Sequence, residues 1–211
     1  MQGGLSVMAR PAHIILVRHG ETVGESSIRY HGRNDVVLSR KGRSQAEALK
    51  EILELDVDRV VASPLARAWQ AATILRPGHP IEIEESFAEI DFGRWEGLTR
   101  EEIAVLDPAL FEVWQDRPLE LEFPEGELKA DFKRRIEAGL QRLLDLPVKS
   151  ILVVAHKGVV RGIAEGLTGW ALPEAIPDLG QAVVFRLQND GTWAMEPDSA
   201  IGGDPNPGSP D

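Results

Sequence analysis

The chain has 211 residues, 43% of them hydrophobic, which suffices to bury one substantial core and argues for one domain rather than two. Its formal net charge of −11 disfavours a nucleic-acid or anionic-membrane surface, because those partners need a positive field. The absence of cysteine excludes disulfides, thiolate catalysis and cysteine-bound metals.

Residues 1–11 read as a loose, flexible leader without the apolar run of a signal peptide. No later stretch approaches the roughly 18 apolar residues of a membrane span, so the expectation is a soluble cytoplasmic protein. Ile14-Ile15-Leu16-Val17 is an apolar run that stops abruptly at Arg18-His19-Gly20. Such a run reads as a strand buried on both faces of a parallel sheet, ending at the carboxyl edge where ligands of open α/β sheets gather. An arginine and an imidazole delivered together there suggest a site for an anion.

Residues 20–38 lack helical periodicity and read as a long ordered loop carrying Arg29, His31-Gly32-Arg33 and Asn34-Asp35. Ser39 stands where a helix N-cap belongs, with Ala46, Leu49, Ile52 and Leu53 following at helical spacing. A strand from Arg59 to Ala62 precedes Ser63-Pro64-Leu65-Ala66-Arg67, in which serine as N-cap and proline at the first helical position predict a helix start. Arg67 then lies in a first helical turn beside a second strand end.

After a short strand at Ile81 to Ile83 comes Phe87-Ala88-Glu89-Ile90-Asp91-Phe92-Gly93-Arg94-Trp95-Glu96-Gly97, a loop mixing aromatics, carboxylates and glycines. A carboxyl group held against Phe92 or Trp95 would have its pKa raised by desolvation, as a general acid near neutral pH requires. Residues 99–116 predict one or two short helices broken near Asp107-Pro108. Beyond the Pro124-Glu125-Gly126 turn, a long helix carries Leu128, Phe132, Ile136, Leu140, Leu143 and Leu144 on one face, leaving Arg134, Arg135, Glu137 and Arg142 as its wet side.

Ile151-Leu152-Val153-Val154-Ala155-His156 repeats the opening theme, a buried strand closed by a histidine, and Val159, Val160, Ile163, Ala164 and Leu167 mark a helix behind it. Ala182–Leu187 and Thr192–Met195, joined by Asn189-Asp190-Gly191, read as a closing hairpin at a sheet edge. From Pro197 the Pro-, Gly- and Asp-rich tail, 197–211, predicts disorder. The alternation of strands and helices over residues 12–196 predicts a three-layer α/β/α sandwich with a mostly parallel central sheet and an antiparallel edge strand.

Independent strand ends thus supply Arg18-His19, Arg67 and His156. Metal binding by the histidines is weakened by the neighbouring arginine charges and by the lack of carboxylates at ligand spacing. Phosphate fits better, because two guanidiniums can each grip phosphate oxygens bidentately and helix N-termini add N–H groups.

These segments, taken in order, resemble the histidine phosphatase superfamily, its phosphoglycerate mutase-like branch. The resemblance rests on Leu16-Val17-Arg18-His19-Gly20-Glu21-Thr22, Gly32-Arg33-Asn34-Asp35, Leu38-Ser39 with Gly42 and Gln45-Ala46, Ser63-Pro64-Leu65-Ala66-Arg67-Ala68, Glu89 ahead of Phe92-Gly93-Arg94-Trp95-Glu96-Gly97, and Val153-Val154-Ala155-His156. It implies that His19 is a nucleophile forming phosphohistidine, that Arg18, Arg67 and a protonated His156 hold the phosphoryl group, and that Glu89 gives the leaving group its proton. Thr22 and Lys157 join the phosphate-binding set, and Arg33 is a substrate-binding candidate. No metal and no cofactor are implied.

Three features depart from the family pattern. Glu25 stands where asparagine is common, turning away from the phosphate or meeting Arg29, Arg33 or a cationic substrate group. Lys157 replaces a glycine, either charging the pocket lip or facing solvent. The segment between Glu89 and His156 is short, which favours a phosphatase over a phosphoglycerate mutase. The resulting expectation is a metal-independent phosphomonoesterase acting on a small phosphorylated metabolite, α-ribazole phosphatase-like or of broad specificity. The alternatives are a cofactor-dependent phosphoglycerate mutase, a phosphohistidine protein phosphatase and a catalytically dead phospholigand binder. Residues 23–37, 98–125 and 173–181 are where specificity is expected, and the sequence leaves room for a homodimer through an edge strand.

Overall fold

The apolar run near the start of the chain forms β1 (His13–Arg18), whose side chains alternate between two cores as strand geometry requires. Ile14 and Leu16 face one side of the sheet, Ile15 and Val17 the other, and all four are buried. The computed structural model describes residues 10–24, 28–53, 56–118, 120–197 and 200–203. Glu25 lies outside them.

The sheet runs β3 (Ile81–Ile83), β2 (Arg59–Ala62), β4 (Ser150–Ala155), β1, β5 (Gln181–Leu187) and β6 (Trp193–Met195), with β7 (Ile201–Gly202) also paired to β5. The pairs β1 with β4, β4 with β2 and β2 with β3 are parallel, whereas β5 runs antiparallel to β1, β6 and β7. Helices α1 (Arg40–Ile52) and α2 (Ala66–Leu75) cover one face. α3 (Arg100–Leu106) and α4 (Pro108–Asp116) stand off the sheet, and α5 (Lys129–Leu144) and α6 (Lys157–Thr168) cover the other face. This is the three-layer sandwich the alternation predicts, with most of its strands parallel.

Ser39 caps α1 as expected, accepting from the Gly42 N–H at 3.0 Å. Gly42 itself is required there, because a Cβ would fall 1.9 Å from the Glu21 carbonyl oxygen where the strand-end loop crosses the helix. The break at Asp107-Pro108 separates α3 from α4, and Thr99 with Glu102 forms a reciprocal capping box at the start of α3. Both helices rest on an aromatic cluster built from Trp95, Ile103 and Leu121 with Tyr30, Phe92, Trp114 and Phe123.

Three local expectations need correcting. α2 begins at Ala66 rather than at Pro64, because the Ser63 hydroxyl is held by His156 at 2.7 Å and the cap comes from Asp35, which accepts from the Ala66 N–H at 2.6 Å. Arg135 is not on a wet face: its guanidinium turns back to donate to the carbonyls of Ser86, Ala88 and Glu89 at 2.7, 2.6 and 3.0 Å. The segment beyond Pro197 is not wholly without structure, since Ile201 pairs with Ala182 and packs on the core of the α1–α2 face. Residues 204–211 lie outside the described set. Among the described residues, no helix is long and apolar enough to cross a membrane.

Candidate active site

Strand register assembles the site. Arg18 pairs with Ala155, so the residues that follow, His19 and His156, emerge side by side at the carboxyl edge. The His19 N–H donates to the Ala155 carbonyl at 3.0 Å, and the two rings lie 5.1 Å apart by centroid, close to the ~4.8 Å spacing of neighbouring strands. Ala62 pairs with Val154, which brings Ser63 to the same edge, its N–H donating to the Val154 carbonyl at 3.0 Å. The first turn of α2 then inserts Arg67, 1% exposed, between the two rings.

The hydrogen-bond network assigns the protonation of both rings. Arg67 Nε donates to His19 Nε2 at 3.2 Å and to His156 Nδ1 at 3.3 Å. A guanidinium only donates, so both nitrogens present lone pairs to it. The opposite nitrogens carry the hydrogens: His19 Nδ1 donates to the Gly20 carbonyl at 2.6 Å, and His156 Nε2 to the Ser63 hydroxyl at 2.7 Å. Burial holds the His19 pKa well below its ordinary 6.5, with the charges of Arg67 and Arg18 adding to the effect. Burial does the same to His156, reinforced by Arg67 and by His19. Both shifts favour the neutral ring, in line with the lone pairs that the two nitrogens present to Arg67.

The two arginines are unequal. Arg67 Nη1 donates to the Asn34 carbonyl at 2.8 Å, and Nη2 to the carbonyls of His31 and Gly32 at 2.8 and 2.7 Å. With Nε on the rings, a single Nη1 hydrogen is left, so Arg67 has no open fork for a bidentate grip as it stands. Arg18 has more to offer: Nη1 donates to the Pro177 carbonyl at 3.2 Å, and Nε is buried with no partner among the described residues. Burial lowers both guanidinium pKa values, and the Glu89 carboxylate acts against that on each.

Glu89 is buried beside the start of α6, accepting from the N–H groups of Gly158 and Ile90 at 3.1 and 3.0 Å. A Cβ on residue 158 would come within 2.6 Å of its Oε1, so the approach needs glycine. This carboxyl group lies at the N-terminus of α6. Thr22 is buried, its backbone bridging Leu38. Lys157 and Arg33 are each taken up by a carboxylate: Lys157 pairs with Glu174 at 3.0 Å, and Arg33 lies 3.9 Å from Glu127. The structure therefore brings together Arg18, His19, Arg67, Glu89 and His156, and it pairs Lys157 and Arg33 with carboxylates outside that group. Among the described residues there is no group of three or more His, Cys, Asp or Glu placed to hold a metal ion.

Sequence reading missed the residues that hold this arrangement. Ser63 sets the ring orientation of His156, and Arg135 pins the backbone around Glu89 while paired with Glu127 at 2.6 Å. Glu96 accepts from the N–H groups of Gly32, Arg33, Asn34 and Phe92 at 2.7 to 3.1 Å, gripping from the other side the loop whose carbonyls bind Arg67. No local pattern marks these three, because each acts on groups brought near by folding.

A family model described as the histidine phosphatase superfamily, branch 1, matches residues 14–195. A bifunctional protein of Mycobacterium tuberculosis is 31% identical over 194 residues, which is 89% of this chain and 50% of that protein. The chain thus spans about half the length of the first curated relatives it matches. Phosphoserine phosphatase 1 of Hydrogenobacter thermophilus is 31% identical, covering 74% of this chain and 76% of its own. Among solved structures, a putative α-ribazole-5′-P phosphatase of Escherichia coli superposes with a TM-score of 0.79 at 26% identity, over 92% of this chain and 100% of that one.

Proposed function

Because the chain belongs to the histidine phosphatase superfamily, we propose that it is a phosphomonoesterase that works through a phosphohistidine on His19. The observation that carries this reading is the lone pair on His19 Nε2, kept free by the Nδ1–H bond to Gly20 and by burial, beside two guanidiniums. In the first step Nε2 attacks phosphorus in line, the ester P–O bond breaks, and Glu89, protonated from solvent as the phosphate dianion enters, gives that proton to the departing oxygen. Gly20 offsets the charge that appears on the ring. Arg67 Nε–H, having lost its acceptor on His19, turns to a phosphoryl oxygen alongside Arg18. His156, neutral beforehand, can take a proton once the phosphoryl charge offsets the arginines that hold it neutral. In the second step Glu89 takes a proton from water, which attacks phosphorus, and the N–P bond breaks.

Two arginines supply the positive charge, so this reading needs no metal. Relatives named for phosphoserine and α-ribazole phosphate support a small phosphorylated metabolite as substrate, in an α-ribazole phosphatase-like or broad-specificity enzyme. The purified protein should release phosphate from p-nitrophenyl phosphate in excess EDTA and form an acid-labile phosphoenzyme. Activity that requires added metal, or label retained in His19→Ala, would overturn it. Incubation with 3-phosphoglycerate and 2,3-bisphosphoglycerate distinguishes release of phosphate from its transfer.

A further inference from the structure

Lys157 is the charge that the phosphate site does not absorb. It stands at the first position of α6, directly after His156. Its Nζ donates to Glu174 Oε1 at 3.0 Å, and Arg161, one turn further along the same helix face, lies 3.6 Å from the other oxygen. The Glu174 side chain is 86% exposed, so water competes for both contacts. Arg161 is also tied to the backbone, its Nη1 donating to the Pro173 and Ile176 carbonyls at 2.6 and 3.1 Å. Lys157 has further N–H groups to give.

The same segment reaches the phosphate site. Four residues beyond Glu174, Asp178 lies 3.9 Å from Arg18 Nη1, and the Pro177 carbonyl accepts from that nitrogen. One short loop therefore lays a carboxylate on the Lys157–Arg161 pair and another beside Arg18. Glu89, the acid of the leaving-group side, accepts from the N–H of Gly158, the residue next to Lys157. Lys157 is thus next in sequence to the N–H that holds Glu89, and the loop that pairs with it also reaches Arg18. In a chain of net charge −11, a local cation pair at this lip is what would hold an anionic substrate group.

Resting on the phosphomonoesterase reading, we propose that Lys157, backed by Arg161, is a subsite for a carboxylate on the substrate, filled in this structure by the Glu174 side chain. The preferred substrates are then phosphomonoesters of small organic acids. A substrate carboxylate displaces Glu174 in a charge-for-charge exchange, so neither cation is left unpaired. This shifts the preference away from α-ribazole phosphate, whose only anionic group is the phosphate itself.

The test uses 3-phosphoglycerate and glycerol 3-phosphate, which differ only in a carboxylate against a hydroxymethyl group. Wild type should favour 3-phosphoglycerate by about tenfold in kcat/KM, chiefly through KM, the effect of one charge-assisted contact. Lys157→Gln should remove that preference by raising KM for 3-phosphoglycerate, with a much smaller change for glycerol 3-phosphate. Glu174→Gln, which weakens the competitor, should lower KM for 3-phosphoglycerate more than for glycerol 3-phosphate. Equal kcat/KM for the two substrates in wild type overturns the subsite, as does a parallel loss on both in Lys157→Gln. Failure to release phosphate from either substrate and from p-nitrophenyl phosphate overturns the phosphatase reading instead, so the two failures are told apart.

Discussion

The ends of β1 and β4 look alike in sequence, each a run of buried aliphatics closed by a histidine, yet the two rings are wired in opposite senses. His19 spends its Nδ1 hydrogen on the carbonyl of the very next residue and leaves Nε2 open. His156 spends its Nε2 hydrogen on Ser63, delivered by a different strand, and leaves Nδ1 open. Arg67 bonds both open nitrogens and so distinguishes neither. The difference teaches that the Nδ1–H bond of the proposed nucleophile closes within its own tripeptide, whereas the Nε2–H bond of its partner depends on β2 being in register with β4.

The largest break in this comparison comes from removing each ring in turn. His19→Ala should cost ~10⁴ or more in kcat, whereas His156→Ala should cost ~10²–10³ and still form some phosphoenzyme, by the usual weights of a nucleophile and of one charge-stabilising group. Equal losses would mean that the two rings share one role. At the β4 end, Glu89→Gln should cost ~10²–10⁴ on alkyl phosphates and little on p-nitrophenyl phosphate, whose phenolate leaves unaided. Equal losses on both substrates would remove Glu89 as the acid.

Ser63→Ala tests the difference in wiring more finely. It should lower kcat by about tenfold, a fraction of what losing the whole group would cost. Long-range ¹H–¹⁵N imidazole spectra should show Nδ1–H on His19 and Nε2–H on His156 in wild type, with only the His156 pattern changed in the variant. Identical tautomers in wild type would overturn the assignment.

The smallest effect is on stability. Both rings stay neutral in the folded chain, while an unfolded histidine protonates near 6.5. Below that pH the unfolded state binds more protons, so stability falls as pH falls, and above it these rings add no slope. Urea midpoints should drop between about pH 7 and 5 in wild type and drop less in His156→Asn. An unchanged slope in the variant would show that His156 titrates normally.

Arg18, His19, Arg67 and His156 were legible because each sits at or just past the end of a strand-like run, whereas Glu89 was carried by the family resemblance alone. Arg18-His19 and His156 end apolar runs, and Arg67 follows a strand by one tight turn. The supporting residues were not legible. Arg135 lies on what looks like a polar helix face, and only the approach of the 86–89 backbone shows that its fork is filled by carbonyls. Ser63 preceding proline reads as a helix cap by local preference, but a ring from another strand takes its hydroxyl and Asp35 caps the helix instead. β7 was hidden because a two-residue strand amid glycine and proline carries no periodicity, and its pairing comes from β5.

By itself, then, the sequence determined the buried strands, the order of the layers and the residues at the carboxyl edge, because period and strand termination are local properties of the chain. The tertiary structure alone decided that three of the five Arg67 N–H groups go to the 31–34 loop, that His156 is held by Ser63, and that Lys157 meets Glu174. Those outcomes turn on burial and on partners tens of residues away, and neither is a property of the local chain.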